Sequence, residues 1–323
     1  MKRKIRLSAE IYLGLFLLAI LFLLAFFTEG FFSLNNTMSM LNRFSYVLIS
    51  AIGMNLIIIT SNIDVSAGGL ISVVCLFIAA LGKFDLGFAV LLPVAMLMGA
   101  FLGLVNALFI TRFRIPAIVA TLATAQLFSG ILPLVVEGSL YDLPPSFTWL
   151  AFEAKLFGVI PASVLIMAVV AAFFLWFMKY SRFSKKIYAV GNNREAARLS
   201  GINVDRVVVL TYMIAGILFG VTAVIIATAS QRVTTTMGTG LEMTFIAAVV
   251  LGGTSVAGGS GKLLGTVFGA AILSVIAPAI NYLGISSDWS DAIMGAIIII
   301  AVVTSALRME GKKNPGTAAE ETL

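Results

Sequence analysis

Two carboxylates stand in or beside long apolar stretches of this sequence: Asp64, within Ser61-Asn62-Ile63-Asp64-Val65-Ser66-Ala67-Gly68-Gly69, and Glu242, just after Gly238-Thr239-Gly240. A carboxylate in such surroundings is costly unless it faces protein or water, so each is either a helix cap or a site for an ion, a proton or a polar solute. At Asp64 the cap is favoured, because Asp64 or Ser66 can accept from the first amides of the helix that follows. At Glu242 the two readings balance. Thr121, Thr124 and Gln126 follow Pro116, while Asn55 and Asn106 lie in two other apolar runs. Their hydroxyls and amides can bond a polyhydroxylated solute, and can equally well bond the backbone or a neighbouring helix.

Much chemistry is excluded. The chain has no histidine, which removes His-based acid–base catalysis, Ser-His-Asp hydrolysis and His-ligated metal sites. Its single cysteine, Cys75, sits in an apolar run and reads as a small core residue. Gly258 to Lys262 spells GGSGK, but a nucleotide loop needs glycine five positions before Gly261 and Ser or Thr after the lysine; Val256 and Leu263 stand there. No ATP site, cofactor or metal is expected in this chain.

The longest charged stretch, Lys179 to Arg206, holds seven Lys or Arg residues between two apolar runs. At its centre is a pattern with its own start and stop: Asn193 as N-cap, Arg194 to Ser200 as helix body and Gly201 just past the end. Ala196, Ala197 and Leu199 would give this helix a small apolar surface, with Arg194, Glu195 and Arg198 in water. So short a helix is not stable alone and needs the rest of the chain, the membrane surface or a partner. A basic loop that merely fixes topology is the plainer reading.

The elements that must carry these residues follow from composition. With 60% hydrophobic and 11% charged residues among 323, and a mean hydropathy of +1.07, the chain is an integral membrane protein. Its apolar runs are continuous over about 20 residues, which selects helices over a barrel. The expected fold is all-α, with about ten transmembrane spans at about 11–27, 44–61, 66–82, 87–110, 115–136, 157–178, 207–229, 241–257, 263–283 and 290–307. With the N-terminus in the cytoplasm, 17 of the 21 Lys and Arg residues fall inside, and only Arg43, Lys83, Lys155 and Arg232 fall outside. Residues 1–323 then form one membrane domain, with 1–10, the loop 179–206 and the tail 309–323 cytoplasmic. MKRKIR precedes a long apolar run with no small-residue cleavage site, so a cleavable signal peptide is not expected.

The second and third spans are separated by little more than SNIDVS and the eighth and ninth by AGGSG, so either junction can be a broken helix or a re-entrant turn. Ten spans divide into five and five of opposite entry. Gly99 with Gly103 and Gly265 with Gly269 fall in the fourth span of each half, as an inverted repeat would have them, although the same spacing at Gly216 and Gly220 also fits plain helix packing. The external segment Glu137 to Phe157 holds Pro144, Pro145, Phe147, Trp149 and Phe152, as an interfacial anchor or a docking site for an external partner.

Four blocks make the chain similar, over nearly its whole length, to the permease subunits of ribose-type ABC importers, the group that includes xylose, rhamnose and autoinducer-2 systems. They are NIDVSAGG (Asn62 to Gly69), RIPAIVATLAT (Arg114 to Thr124), YAVGNNREAARLSGI (Tyr188 to Ile202) and GTGLEMTFIAAVVLGGTSVAGGSGKLLGT (Gly238 to Thr266). The resemblance implies that Arg194 to Leu199, with Gly201, form the coupling helix that inserts into a separate ATPase. It also implies a second permease copy or paralogue, an extracytoplasmic sugar-binding protein, and ATP with Mg bound by the ATPase. Asn55, Asn62, Asp64, Ser66, Thr121, Thr124, Gln126 and Glu242 are the candidate lining of the solute path. Ser61-Asn62 stands where many members have a Gly-Gly pair, and Ala67 where valine is usual; the first is a form associated with autoinducer-2 and rhamnose-like systems. Two other classes remain open at this stage: an ion-coupled secondary transporter using Asp64 and Glu242, and a membrane scaffold.

Overall fold

The computed structural model describes residues 9–286 except 137–138, 141–142, 153, 157 and 231, together with some of residues 289–303. In chain order the elements are α1 (Ala9–Phe27), α2 (Leu34–Ile59), α3 (Ala67–Gly82), α4 (Phe88–Thr111), α5 (Ala117–Val135), β1 (Ser139–Leu140), α6 (Pro145–Phe152), β2 (Lys155–Leu156), β3 (Ile160–Pro161), α7 (Ala162–Tyr180), α8 (Arg182–Asn192), α9 (Arg194–Leu199), α10 (Val204–Thr228), β4 (Val233–Thr234), α11 (Leu241–Leu251) and α12 (Leu263–Tyr282). Among the described residues, seven helices are long and apolar enough to cross a membrane, and α3 and α11 are shorter apolar helices. Nine of the ten expected spans thus coincide with helices. The tenth, at 290–307, lies largely outside the described residues, as do residues 1–8 and the tail 309–323.

The bundle is built around α2 and α10, whose apolar residues run all the way round the helix. From Val47 to Ile59 every residue of α2 is buried, and most of α10 beyond Ala215 is buried as well. A helix apolar on every side belongs in the middle of a helical protein. α4 lies along α10 by close backbone approach: a Cβ at Gly99 would overlap the Gly216 carbonyl, one at Gly103 the Tyr212 carbonyl, and one at Gly220 the Ala95 carbonyl. Small residues are what allow two helix backbones to pack without intervening side chains. In the second half, Gly265 packs on Gly252 and Gly269 on Ala248, so α12 closes on α11 in the same manner. The two glycine pairs read as repeat-related therefore have different partners, α10 and α11.

α1, α5 and α7 are peripheral and keep much of their apolar surface uncovered. α1 touches the bundle through α12, with Gly14 against the Phe268 ring, and in the turn after α1 Phe31 lies edge-on to Tyr282 at 5.3 Å.

Several boundaries differ from the sequence expectation for identifiable reasons. The eighth span was expected to run to 257, but α11 stops at Leu251. Gly253 takes a positive φ, and Gly252 packs so closely on Gly265 that no side chain fits. The second helix starts at Leu34, ten residues before the apolar run, because Asn35, Asn36 and Thr37 are carried in its first turn. Among the described residues the fold is all-α apart from two short antiparallel ribbons, β1 with β4 and β2 with β3. Phe147, expected at an interface, is buried against Gly82 instead, whereas Trp149 is exposed.

Candidate functional site

Both polar junctions of the sequence converge at one end of the bundle beneath the central basic loop. α2 stops at Ile59, and Ser61, in a left-handed backbone conformation at φ 59°, donates its hydroxyl to the Gly191 carbonyl at 2.9 Å and the Ala257 carbonyl at 2.7 Å. The Gly259 amide donates to the Ile59 carbonyl at 2.9 Å, and the Tyr188 hydroxyl donates to the Gly261 carbonyl at 2.8 Å. Burial pushes the Tyr188 phenol above its ordinary range, which keeps it a neutral donor. The segments 59–62, 188–194 and 257–261 are thereby tied into one knot.

The basic loop is two helices, not one. α8 was missed because its charges read as loop, yet Ser181 caps it by accepting from the Phe183 amide, and Ser184, Ile187 and Val190 form its buried face. α9 matches the expected start and stop. Asn193 accepts from the Ala196 amide at 3.0 Å, and Gly201 ends the helix at φ 78°. One expectation for its faces is corrected. Ala197 is buried, because it points at the bundle, while Ala196 and Leu199 face outward and Leu199 is 90% exposed. Arg194 is exposed as expected, yet its guanidinium also donates to the Asn62 side-chain oxygen at 2.8 Å and to the Thr60 carbonyl at 3.4 Å. Glu195 and Arg198 are exposed. Arg114 pairs with Asp205 through two bonds of 2.8 and 3.0 Å, binding the α4–α5 turn to the start of α10 at the same end, and Lys262 pairs with Glu10 at 2.8 Å.

Deeper in the bundle lies Asp64, 1% exposed. Its Oδ1 accepts from the Ser66 amide at 2.9 Å and the Ser66 hydroxyl at 2.6 Å, and Asn106 donates to the Ser66 hydroxyl oxygen at 2.7 Å. Asp64 thus caps the turn one residue ahead of α3, while the Ser66 hydroxyl is spent on Asp64 and caps no helix amide. The neighbouring Ile63 carbonyl accepts from Tyr212 and Thr121, both at 3.3 Å.

Glu242 occupies the first turn of α11, as the helix-end reading expects. Its carboxylate lies against the Gly240 and Glu242 amides and fills the space where a Cβ at Gly68 would go. The Gly238 amide donates to Ser72 Oγ at 2.8 Å. Ser72 is ten residues from the far end of α3, about 15 Å at the helical rise, so the segment before α11 descends well into the bundle from the other side. Its glycines are needed: Gly238 packs on the Gly68 carbonyl too closely for any side chain.

The remaining candidates separate. Asn55 is fully buried and bridges Thr254 at 2.7 Å and Thr266 at 2.8 Å, a tie between helices. Thr121 and Thr124 are buried and spend their hydroxyls mainly on backbone carbonyls of α5. Gln126 is exposed on α5, as Thr239 and Gly240 are at the start of α11. At the opposite end of the molecule, a cavity of about 430 Å³ opens between the start of α2, the β2–β3 ribbon and the end of α10, with Asn35, Ser39, Asn42 and Lys155 among its lining. Sequence reasoning missed Ser61, Tyr188 and Tyr212, whose partners lie 70 or more positions away in the chain.

A helical membrane protein whose two broken-helix junctions are both bonded by one helical hairpin outside the apolar spans fits the class of polytopic transport subunits. The chain belongs to the family described as "Branched-chain amino acid transport system / permease component", which matches residues 36–302. It is 34% identical over 295 residues to the ribose import permease protein RbsC of Escherichia coli K12, covering 89% of this chain and 90% of that protein. It is 35% identical to the probable ABC transporter permease protein YphD of the same strain, covering 91% and 88%. With the autoinducer 2 import system permease protein LsrC of Yersinia pseudotuberculosis it shares 30%, covering 93% and 87%. No solved structure matches it.

Proposed function

We propose that this chain is the transmembrane permease subunit of an ATP-driven importer for a monosaccharide or sugar-like solute of the kind carried by the ribose and autoinducer-2 systems. The observation that carries the reading is α9: a six-residue helix bonded to the first broken-helix junction through Arg194 and following α8, which bonds the second through Tyr188, with Leu199 almost bare beside Glu195 and Arg198. A single exposed leucine is ordinary in itself; its weight here comes from the similarity to permeases of ATP-driven importers, which need a face for their ATPase. Its occupant in this reading is a separate ATPase, which binds the ATP and Mg, and the permease itself carries no catalytic site.

The end bearing α8, α9 and the Arg114–Asp205 pair is cytoplasmic by the positive-inside rule, with both termini on that side of the bacterial inner membrane. The far end, with its cavity, receives the solute from an extracytoplasmic binding protein. Gln126 and Thr239 are exposed at depths where lipid would leave them unsatisfied, which favours a second permease copy or paralogue across the path from Glu242. Asp64 and Ser66, both buried, stand behind the cytoplasmic half of that path, Asn55, Thr121 and Thr124 hold its walls, and Asn62 holds the α2–α3 junction.

The test is uptake by the reconstituted complex of permease, ATPase and binding protein, offered labelled pentoses, deoxyhexoses and autoinducer-2. ATP-dependent accumulation of one of them is expected. Accumulation by the permease alone under an ion gradient would establish the secondary transporter in its place.

A further inference from the structure

On the importer reading, α9 receives the motion of the ATPase, and the structure points to the side chain that carries it inward. Of the three charged residues of α9, Arg194 is the one whose side-chain end bonds the α2–α3 junction, next to the buried Ala197. We propose that Arg194 is a positioning residue: through its bonds to Asn62 and the Thr60 carbonyl it pins the broken-helix junction to the coupling helix, and it is not an ATPase contact. The geometry beyond the pin is continuous. Asn62 donates back to Thr60 at 2.8 Å, the next carbonyl, Ile63, is held by Tyr212 and Thr121, and the residue after it, Asp64, holds Ser66 at the start of α3.

A displacement of α9 therefore reaches the first turn of α3 within five residues of Asn62, and the first turn of α3 is where Glu242 of α11 rests. The surrounding knot makes this transmission stiff. Ser61 and Gly259 anchor the backbone on either side, so pulling on Arg194 moves the junction as a unit instead of bending the loop. Coupling of this kind needs a contiguous set of packed and hydrogen-bonded groups with two arrangements. The set here is polar, short and largely buried.

The test uses the assembled transporter in proteoliposomes, with four readouts: ATPase co-purification, basal ATP hydrolysis, hydrolysis stimulated by the binding protein, and solute uptake. R194A and N62A are each expected to keep the ATPase at the wild-type ratio and to keep basal hydrolysis, while uptake and stimulated hydrolysis fall by about tenfold. The double variant R194A/N62A is expected to be no worse than the poorer single one, because both remove the same link. N62D keeps the acceptor for the guanidinium and is expected to retain uptake alone but not with R194A, a rescue that a general loss of packing would not show. If R194A fails to accumulate, the comparison of N62A with N62D carries the same decision.

Loss of the ATPase from the R194A complex, unchanged uptake in R194A, or multiplying effects in the double variant would overturn the pin. Failure of the wild-type complex to accumulate solute with ATP would overturn the importer reading itself, a different result in a different sample.

Discussion

The carboxylate of Glu242 sits against the backbone of Gly68, so the first turn of α11 and the first turn of α3 meet inside the bundle. The two helices approach from opposite sides, one after the SNID junction and one after the descending Thr235 to Gly240 segment. A helix start carries unpaired amides and a partial positive charge, and one carboxylate here serves two of them. A meeting of this kind is sensitive both to the space around it and to the acceptor within it, and the two can be tested apart.

Space is tested at Gly68. A Cβ there would overlap the Glu242 carboxylate and the Gly238 carbonyl, and the backbone carbonyl cannot move aside as a flexible chain end can. Gly68→Ala is expected to cost about 1–3 kcal/mol by overpacking and to depress uptake strongly. Gly87→Ala, where the added carbon meets nothing within 4 Å, is the matched control and should leave uptake unchanged. Detergent-solubilised thermal unfolding together with uptake measures both.

The acceptor is tested at Glu242. Glu242→Gln keeps an oxygen for the helix amides and removes the titratable proton, so a polar lining residue should lose only about 1 kcal/mol of function. Glu242→Lys should abolish transport, since it sets a cation against two helix starts. Were Glu242 instead an ion-coupling carboxylate, the glutamine variant would fail as completely as the lysine. Initial uptake rates of the two variants at one pH decide the matter.

Asn55 gives a prediction about stability. Its amide bridges Thr254 and Thr266 at zero exposure, joining α2 to both sides of the α11–α12 junction. Asn55→Leu removes the donor that both buried hydroxyl oxygens accept from and is expected to lower stability by about 1–3 kcal/mol, read as a drop in midpoint temperature. Thr254→Val in the same background should add less than it does alone, because the bond it removes is already gone.

How much of this was legible in the residues depends on the range over which the deciding interaction acts. The capped helix at Asn193 to Gly201 was readable because its cap, body and terminator are local: Asn193 needs only Ala196, and Gly201 only its own φ. Spans were readable because membrane helices must be apolar over their whole length. The end of α11 at Leu251 was not, since it depends on Gly252 meeting Gly265 from the next helix. Nor was the inward turn of Arg194, whose partner Asn62 lies 132 positions away, or the burial of Ala197, which reverses one face of α9. The candidate path residues were chosen by type alone, and type does not distinguish Asn55, a tie between helices, from Gln126, exposed on α5.

The docking surface itself gives the last prediction. Glu195 and Leu199 are both exposed on the outer face of α9, so changing them should spare the fold and strike the partner. Leu199→Glu replaces a bare apolar anchor with a charge, and burying that charge in an apolar groove costs several kcal/mol unless it is paired. Glu195→Lys reverses the one acidic group in the first turn of α9, where a carboxylate suits the positive end of the helix. Both are expected to reach the membrane in wild-type amounts and to lose ATPase on purification, whereas R194A keeps it. Gly201→Val acts differently: at φ 78° a β-branched residue is strained by about 1–2 kcal/mol, so α9 loses its terminator and the docking face its shape, and partial retention of the ATPase is expected. Co-purification ratios across the four variants order them as L199E and E195K lowest, then G201V, then R194A; if R194A fell with the first pair, α9 would be docking through both its faces.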